Sequence, residues 1–463
     1  MGSEWKISSL KDLGVQLIDC DHKTPKAVEN GIPYIGIPQM DEGRINFDAN
    51  PRLISEEDYV KWTKKANPQY GDIILSRRCN SGETVYVPKD VKFALGQNLV
   101  LLRPAGDKLH PEYLRWAVQG KEWWNEVAKY LNPGAIFESL KCGEIPKFKI
   151  KVPPKEEQKK IADMLTNIND KIELNRETNQ TLEAMAQALF KSWFVDFDPV
   201  FDNIIAHNLA HNNAPLHNIP EPLLPHAQLR LNVLNEGQHN ADNVERGSAR
   251  QISAARAFHH LFPQAFEQSD EPSVGIQGWV PKGWDLDGLG SFINFSNGKL
   301  MKSTVDGLYP LYGANGIIGK TNEIRCSNAI IIGRVGAYCG AIKYCPSSFW
   351  PSDNTIVASS TESEDMLPFI LYQLKYLNLN QYAGGAAQPL LNQATLKSIK
   401  VSAPSRSACN VFNKTVSEFI IKSTNLENEI HVLESLRDTL LPKLISGELR
   451  IPDAEQATEA LAK

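Results

Sequence analysis

The segment that decides the fold is residues 161–193, IADMLTNINDKIELNRETNQTLEAMAQALFKSW, which has a counterpart 251 positions later in residues 412–444, FNKTVSEFIIKSTNLENEIHVLESLRDTLLPKL. In both segments apolar side chains recur at alternating steps of four and three residues, the heptad pattern of a helix that buries one seam. The apolar seam residues are Ile161, Leu165, Ile168, Ile172, Leu182 and Leu189 in the first segment and Phe412, Val416, Phe419, Leu426, Ile430, Leu433 and Leu440 in the second.

These two seams predict two long helices that pair with each other. At about 1.5 Å per residue, some 40 residues make a helix of roughly 60 Å, too long to be buried inside one domain. Each helix therefore needs a partner, and antiparallel pairing would relate the two halves of the chain by a pseudo-two-fold axis. Asn175 and Asn179 also fall on the first seam. A seam asparagine fixes the helix register at a cost in stability, or it is solvated, and both alternatives remain open.

The repeat extends to the segments that precede each helix. Residues 72–77, ending in Arg77, return as residues 329–334, ending in Arg334, and both read as apolar strands followed by an arginine. Residues 150–152 return in the same way as residues 399–401, each followed by proline and a helical stretch. The predicted fold class is α+β, with two mixed α/β modules separated by two long helices that pair as an antiparallel coiled coil.

The chain divides into six segments on this reading. They are a first module at 1–154, a first long helix at 155–198, a linker or insertion at 199–275, a second module at 276–404, a second long helix at 405–447 and a C-terminal tail at 448–463.

The connecting stretch 199–275 has a distinctive composition. It contains no lysine and seven of the ten histidines, and it is rich in Asn and Pro. Its histidines lack a repeated ligand spacing, so we interpret the stretch as a long linker with one short helix near residues 254–260 rather than as a metal site.

Composition and charge limit the class of protein. With 463 residues and 42% hydrophobic residues, the chain has material for two to four domains. No run of about 18 apolar residues and no signal-peptide pattern occurs, which predicts a cytoplasmic protein. The seven cysteines have no zinc spacing and are expected to be free thiols. The net charge is −5, yet each module carries a net charge of +2, so two mildly basic modules lie in an acidic frame.

Catalytic motifs are only approximated. Residues 313–321 end like a phosphate-binding loop, but five residues instead of four separate Gly313 from the final Gly-Lys pair. Residues 67–70, Asn-Pro-Gln-Tyr, resemble the Asn-Pro-Pro-Tyr signature of adenine methyltransferases, but the second proline is missing and no glycine-rich loop for S-adenosylmethionine follows. We therefore expect no catalytic, metal or cofactor site in this chain.

The loops next to the predicted strands are rich in residues that contact DNA. Arginine and lysine bind phosphates and guanine, and asparagine reads adenine. Such residues also occupy ordinary surface turns, and Arg77 and Arg334 stand out because they hold equivalent places in both modules. The candidate DNA-binding residues are Lys23, Arg77, Arg78, Asn80, Lys299, Lys302, Tyr312, Asn315, Lys320 and Arg334.

The layout resembles the specificity (S) subunit of type I restriction-modification enzymes over nearly the whole chain. The resemblance rests on the order of modules and helices and on four motifs. These are PPKEEQKKI at 153–161, GWVPKGW at 278–284, YGANG at 312–316 and LLPKLISGEL at 440–449. The long stretch 199–275 and the sequence Ser-Arg-Ser-Ala at 405–408, where the first helix has Glu-Glu-Gln, depart from the family pattern.

The resemblance implies two target recognition domains, each reading one half of a split site in double-stranded DNA. It further implies two methyltransferase subunits that hold S-adenosylmethionine, and restriction subunits that use ATP and Mg. The chain itself would then be non-catalytic. Two other classes compete with this reading: a stand-alone adenine DNA methyltransferase, which binding of labelled S-adenosylmethionine to the isolated chain would reveal, and a coiled-coil scaffold that does not bind DNA.

The helix seams generate a prediction about spacing. If the modules lie at opposite ends of an antiparallel pair, adding one heptad to both helices lengthens it by about 10 Å, close to three base pairs at about 3.4 Å each. We expect the spacer between the half-sites to grow by one to three base pairs without a change in the half-site sequences. Mapping methylated adenines in a host that carries the variant measures this. An unchanged spacer at full activity contradicts it, and a heptad added to one helix alone is the control that should lose activity.

Overall fold

The computed structural model describes residues 5–21, 23–132, 138–239, 258–385 and 389–454, and the side chains of 236–239 lie outside that description. The chain forms two compact units. The first unit comprises Met1–Glu177 together with Leu426–Lys463, and the second comprises Thr178–Asn425.

Both units contain α-helices and β-strands. The α-helices in the described residues are α1 (Glu56–Thr63), α2 (Pro111–Ala117), α3 (Lys121–Tyr130), α4 (Lys155–Phe194), α5 (Asp198–Ala210), α6 (Leu224–His239), α7 (Leu367–Tyr376), α8 (Gln393–Ser398) and α9 (Arg406–Ser446). The strands there are β1 (Lys6–Ser9), β2 (Val15–Asp19), β3 (Ile32–Ile35), β4 (Met40–Asp41), β5 (Arg44–Ile45), β6 (Arg52–Ile54), β7 (Ile73–Ser76), β8 (Thr84–Tyr86), β9 (Ala94–Leu95), β10 (Leu99–Pro104), β11 (Lys149–Val152), β12 (Phe266–Gln268), β13 (Trp279–Pro281), β14 (Asp285–Gly288), β15 (Ile293–Asn297), β16 (Tyr309–Gly313), β17 (Gly316–Thr321), β18 (Cys326–Gly333), β19 (Ile342–Pro351), β20 (Thr355–Ser360) and β21 (Lys400–Ala403).

The first unit is organised around a sheet with the strand order β2-β10-β7-β8. All four residues of strand β7 are buried. Since successive side chains of a strand point to opposite sides, both faces of β7 must be covered. Ile73 and Leu75 join the core that contains Ile161 and Leu165 of α4. Ile74 joins a second core on the other face. The sheet therefore packs through one face toward the long helix of its own unit.

The second unit repeats this plan in a sheet with the order β15-β20-β18-β19-β16-β17. Ile330 and Ile332 of β18 share a core with Phe412 and Val416 of α9. Ile331 faces a smaller cluster on the other side. Strand β16 pairs in parallel with β19, and β17 is the edge of the sheet. Thus β18 stands in this unit where β7 stands in the first.

Strand registers show how closely the two units correspond. Ser76 of β7 faces Leu99 of β10, and Gly333 of β18 faces Thr355 of β20. These four residues keep offsets of 257 and 256, within the range of the sequence repeat. The repeated strands are therefore equivalent both in sequence order and in backbone pairing.

One match within the repeat is corrected by the structure. Lys6 of β1 faces Val152 of β11, and Asp285 of β14 faces Ala403 of β21. Lys6 and Asp285 are equivalent because each directly follows a tryptophan, Trp5 and Trp284, at the start of its module. Val152 therefore corresponds to Ala403 rather than to Val401, and the sequence match was two residues out. The alternation of apolar residues is the same at both positions, so the sequence pattern alone could not separate them.

The two long helices run antiparallel in the first unit. Ile161 and Leu165, near the start of α4, share a core with Leu440 and Leu444, near the end of α9. Farther along α4, the guanidinium of Arg176 binds Glu434 at 2.6 Å. Residue numbers rise along one helix as they fall along the other, which defines antiparallel pairing.

The second unit contains the remaining part of each helix, also paired antiparallel. The ring of Phe190 in α4 lies 5.8 Å from that of Phe412 in α9. Trp193 lies 6.3 Å from the same ring, and Ala186 shares its core with Val416. Two mixed units and two long antiparallel helices confirm the predicted fold class.

Every seam residue is buried or half-buried. Asn175 is 2% exposed, and its Nδ2 has no hydrogen-bond partner within the part of the chain that the structure describes. Asn179 is half-buried. Solvation is therefore excluded for Asn175, which lies inside the seam at the cost of burying an amide group.

The stretch 199–275 differs from the expected linker because it contributes two helices to the core of the second unit. Val200 and Phe201 of α5 are fully buried. Asp202 of α5 binds Arg230 of α6 through two hydrogen bonds, at 2.6 and 2.7 Å. The high content of Asn, Pro and His concealed these apolar positions. The predicted short helix at 254–260 falls partly on 254–257, outside the described residues, and His259–Leu261 forms one 3-10 turn.

Glu183 generates a stability prediction. Burial favours a raised pKa for Glu183, but hydrogen bonds from Lys375 at 2.6 Å and Tyr372 at 2.9 Å oppose this and leave the pKa below its ordinary value. A lowered pKa in the folded state stabilises the fold at neutral pH, and that contribution is lost as the pH falls through it. Glu183→Gln should lower the free energy of unfolding by about 1 kcal/mol at pH 7, a value limited by the partial solvation of the pair.

This difference should shrink as the pH falls below 4, and thermal unfolding across that range measures it. Glu429→Gln is the matched control, since the exposed pair between Glu429 and Lys171 should contribute little. A constant difference at every pH would contradict the role of the carboxylate charge.

Candidate DNA interface

Arg77 leaves the end of β7 with its backbone fixed on both sides. Its N–H donates to the carbonyl of Asn98 at 2.9 Å, and its carbonyl accepts from the N–H of Leu140 at 2.9 Å. The side chain is 13% exposed, and one terminal nitrogen lies 3.8 Å from the carboxylate of Asp19. Its Nε is buried and has no hydrogen-bond partner among the residues that the structure describes. Arg77 is thus held just beyond the carboxyl end of β7, beside an acidic neighbour that offsets its charge.

Arg334 leaves the end of β18 with the same two backbone hydrogen bonds. Its N–H donates to Asn354 and its carbonyl accepts from Leu391, both at 2.9 Å. Its side chain is half-buried, and a terminal nitrogen donates to the carbonyl of Asp353 at 3.5 Å. The Nε is again buried, and the described ranges offer it no hydrogen-bond partner. The two arginines are therefore equivalent in backbone geometry, as their places in the repeat predict.

Their charged surroundings differ. Asp19 faces Val100 in the β2–β10 pair, and Asn297 faces Ile356 in the β15–β20 pair, so Asn297 occupies the place of Asp19. Across the described ranges Arg334 forms no ion pair. The positive charge of Arg334 at the end of β18 is therefore offset less than that of Arg77 at the end of β7.

The other candidates of the first unit lie on exposed loops. Arg78 is exposed and its backbone bridges to Ser139. Asn80 has a φ of 63°, and its amide donates to Glu83 at 3.2 Å. Lys23 is exposed, while its carbonyl accepts from the indole N–H of Trp62 at 2.9 Å. These contacts fix the backbone and leave the cationic side chains of Arg78 and Lys23 in solvent.

The other candidates of the second unit lie on the β16–β17 hairpin and on the loop that enters it. Asn315 is exposed at its tip, and Lys320 is exposed on β17. Tyr312 is half-buried, with its ring edge-on to Phe349 at 5.5 Å. Lys299 and Lys302 are exposed on the loop that enters β16. The hairpin therefore presents an amide and three ammonium groups, whereas the ring of Tyr312 also serves the small core.

Aliphatic residues around this hairpin were missed by the sequence analysis. Leu300, Val305 and Leu308 lie between and beyond the lysines of the same loop and are more than three-quarters exposed. Their apolar character made them candidates for the core. The signal available in the sequence was their alternation with Lys299 and Lys302 in a loop rich in Ser, Thr and Gly.

Ion pairs hold the β4–β5 hairpin of the first unit to its long helix. Arg44 of β5 binds Glu173 of α4 at 3.1 Å. Glu173 also binds Arg176, which in turn binds Glu434 of α9. Burial alone lowers the pKa of Arg44, but the carboxylates of Glu173 and Asp41 outweigh this and raise it. The hairpin that carries Arg44 is thus fixed relative to both helices.

Two other classes of site are absent from the described residues. No group of three His, Cys, Asp or Glu side chains there is arranged to hold a metal ion. Within the same residues, no helix has the length and apolar character needed to cross a membrane.

Comparison with known proteins identifies the family. The model of the type I restriction modification DNA specificity domain matches residues 2–184 and again residues 281–435, so the domain occurs twice. These matches cover well over half of the chain and contain both Arg77 and Arg334. The chain belongs to the type I restriction modification DNA specificity domain family.

Two relatives are similar along nearly their whole length. The type I restriction enzyme HindI specificity subunit of Haemophilus influenzae is 27% identical, with 96% of this chain and 100% of the relative aligned. The type I restriction enzyme MjaIX specificity subunit of Methanocaldococcus jannaschii is 25% identical, with 97% and 94% aligned. The crystal structure of a type I restriction-modification system S subunit from M. genitalium shares the fold, with a TM-score of 0.54, 17% identity and coverage of 95% and 96%.

The different surroundings of Arg77 and Arg334 generate the prediction for this site. Arg334→Ala should weaken DNA binding more than Arg77→Ala, because Asp19 already offsets the charge of Arg77. A bidentate base contact by Arg334 would correspond to a loss of about 1 to 3 kcal/mol. Asp19→Asn, which copies the neighbour found in the second unit, should increase affinity and steepen the dependence on salt by about one phosphate contact.

Fluorescence anisotropy between 50 and 200 mM salt measures these effects on the chain in complex with its methyltransferase. Each arginine variant should affect one half-site only. Equal losses for both arginines, or equal loss at both half-sites, would contradict the asymmetry.

Proposed function

We propose that this chain reads a two-part target in double-stranded DNA, with one half-site recognised by each unit. The observation that carries the proposal is the repetition of an arginine at the end of equivalent strands. Arg77 and Arg334 leave equivalent strands with identical backbone hydrogen bonds, in two units that both match a DNA specificity domain. Arginines fixed at the ends of strands and flanked by exposed Lys and Asn side chains can contact phosphates and base edges.

We propose that the chemistry resides on other subunits. Two relatives are named as specificity subunits of restriction enzymes, and these names support a chain dedicated to recognition. Two methyltransferase subunits holding S-adenosylmethionine would bind the repeated helix surfaces, and restriction subunits would supply cleavage with ATP and Mg. This chain would then be non-catalytic, acting in the cytoplasm as the part that selects the DNA sequence.

The segment that resembled a methyltransferase signature has a structural explanation. Arg103 donates to the carbonyl of Asn67 at 2.8 Å and binds the buried carboxylate of Asp72 at 2.6 and 2.7 Å. The hydroxyl of Tyr70 donates to Glu112 at 2.7 Å. These bonds close residues 67–72 into a turn that enters β7. Neither this turn nor the comparisons favour a stand-alone methyltransferase or a scaffold that does not bind DNA.

Reconstitution tests the proposal. The isolated chain should transfer no methyl group, and sequence-specific DNA binding should appear when two methyltransferase subunits are bound per chain. Native mass spectrometry gives the stoichiometry, and anisotropy with specific and scrambled duplexes gives the specificity. Methyl transfer by the purified chain alone would contradict the proposal. A one-to-one complex as the only active species would contradict two equivalent binding surfaces.

A further inference from the structure

Large aliphatic side chains are exposed along the edge of the second sheet. Ile317 and Ile318 on β17 are 63% and 57% exposed, although successive residues of a half-buried strand normally alternate. On the loop that enters β16, Leu300 and Leu308 are each 78% exposed and Val305 is 99% exposed. Burying one such side chain is worth roughly 1.5 to 3 kcal/mol, so a concentration of them on one edge indicates a surface that is covered in the functional complex.

The loop holds these side chains outward through fixed backbone contacts. The N–H of Thr304 donates to the carbonyl of Lys320 on β17 at 2.8 Å. The N–H of Leu308 donates to the side chain of Asn322 at 3.2 Å. The carbonyl of Lys299 accepts from the indole N–H of Trp350 at 2.8 Å. The loop is thus tied at its start, middle and end, and Val305 projects from a backbone held to the sheet.

The same edge carries positive charge. Residues 298–325 have a net charge of +2, from Lys299, Lys302, Lys320 and Arg325 against Asp306 and Glu323. The lysines alternate with the aliphatic residues along the loop. A surface that combines cations with protruding aliphatic side chains matches DNA, in which anionic phosphates flank an apolar stack of bases.

We propose that the loop of residues 300–308 is a wedge, which inserts Val305 between two stacked base pairs of the half-site read by the second unit. The proposal rests on the proposed function as a DNA reader. Lys299, Lys302 and Lys320 would bind the phosphates on either side of the opened step. Unstacking one step costs a few kcal/mol and costs least at flexible pyrimidine–purine steps. The wedge would therefore add selectivity at a position that no hydrogen bond reads.

The first unit lacks this arrangement in its described residues. The exposed aliphatic side chains described there are spread over β1, a loop, α1 and the two long helices: Ile7, Val28, Val60, Leu174 and Val432. Only the half-site bound by the second unit should be opened. That asymmetry provides an internal control within one DNA molecule.

The test uses the full chain in complex with its methyltransferase and duplexes with 2-aminopurine at single steps of each half-site, away from the methylated adenine. The wild-type complex should raise 2-aminopurine fluorescence severalfold at one step of the second half-site. Val305→Ser should abolish this rise and lower the affinity by about tenfold while binding to the first half-site is retained. Val60→Ser, which removes an aliphatic side chain that is 62% exposed on α1 of the first unit, should change neither signal.

Each other outcome overturns the wedge. Tight specific binding by the wild-type complex without any fluorescence rise, or a rise that persists in Val305→Ser, shows that this loop opens no step. Loss of methyltransferase subunits from Val305→Ser in native mass spectrometry shows that the surface binds protein instead. Absence of sequence-specific binding by the wild-type complex overturns the proposed function itself, and the wedge with it.

Discussion

Burial of the two heptad seams is the constraint on which the rest of the structure depends. A helix of 40 residues with an apolar stripe cannot be stable in water unless that stripe is covered. In the first unit, Ile161 and Leu165 are covered by Leu440 and Leu444. In the second, Phe190 and Trp193 are covered by Phe412. Each sheet then packs onto the core that its own part of the helix pair creates, so the strands and loops take their positions from the helices.

The sequence predicted most of this architecture because periodicity reports burial directly. Steps of four and three residues identified both helices and their shared register, and repeated apolar strands identified β7 and β18. The sequence failed where composition concealed periodicity. Val200 and Phe201 are buried in α5, yet the surrounding Asn and His residues suggested a linker. It also failed by two residues at β21, because an alternating strand looks the same after a shift of two.

The candidate site was predictable in position but not in its environment. Arg77 and Arg334 could be located because each ends a repeated strand. The neighbours Asp19 and Asn297 could not, because they arrive from distant strands through the β2–β10 and β15–β20 registers. The two units therefore share the backbone pairing around Arg77 and Arg334 but differ in the charge beside these arginines. The exchange of Asp19 for Asn297 beside the same backbone pairing is enough to make the two repeated units electrostatically distinct. Such an exchange is one physical route by which the two halves of a DNA reader diverge.

The chain segments that make up each unit determine the order in which the two units can finish folding. The second unit is a continuous segment, Thr178–Asn425, whereas the first needs Leu426–Lys463 in addition to Met1–Glu177. During synthesis on the ribosome, chains emerge from the N-terminus onward, and domains generally fold as units. The segment made first here must wait for the segment made last, and its apolar residues Ile161 and Leu165 lack their partners until then. Truncation near the C-terminus therefore leaves the N-terminal unit incomplete, although its own sequence is intact.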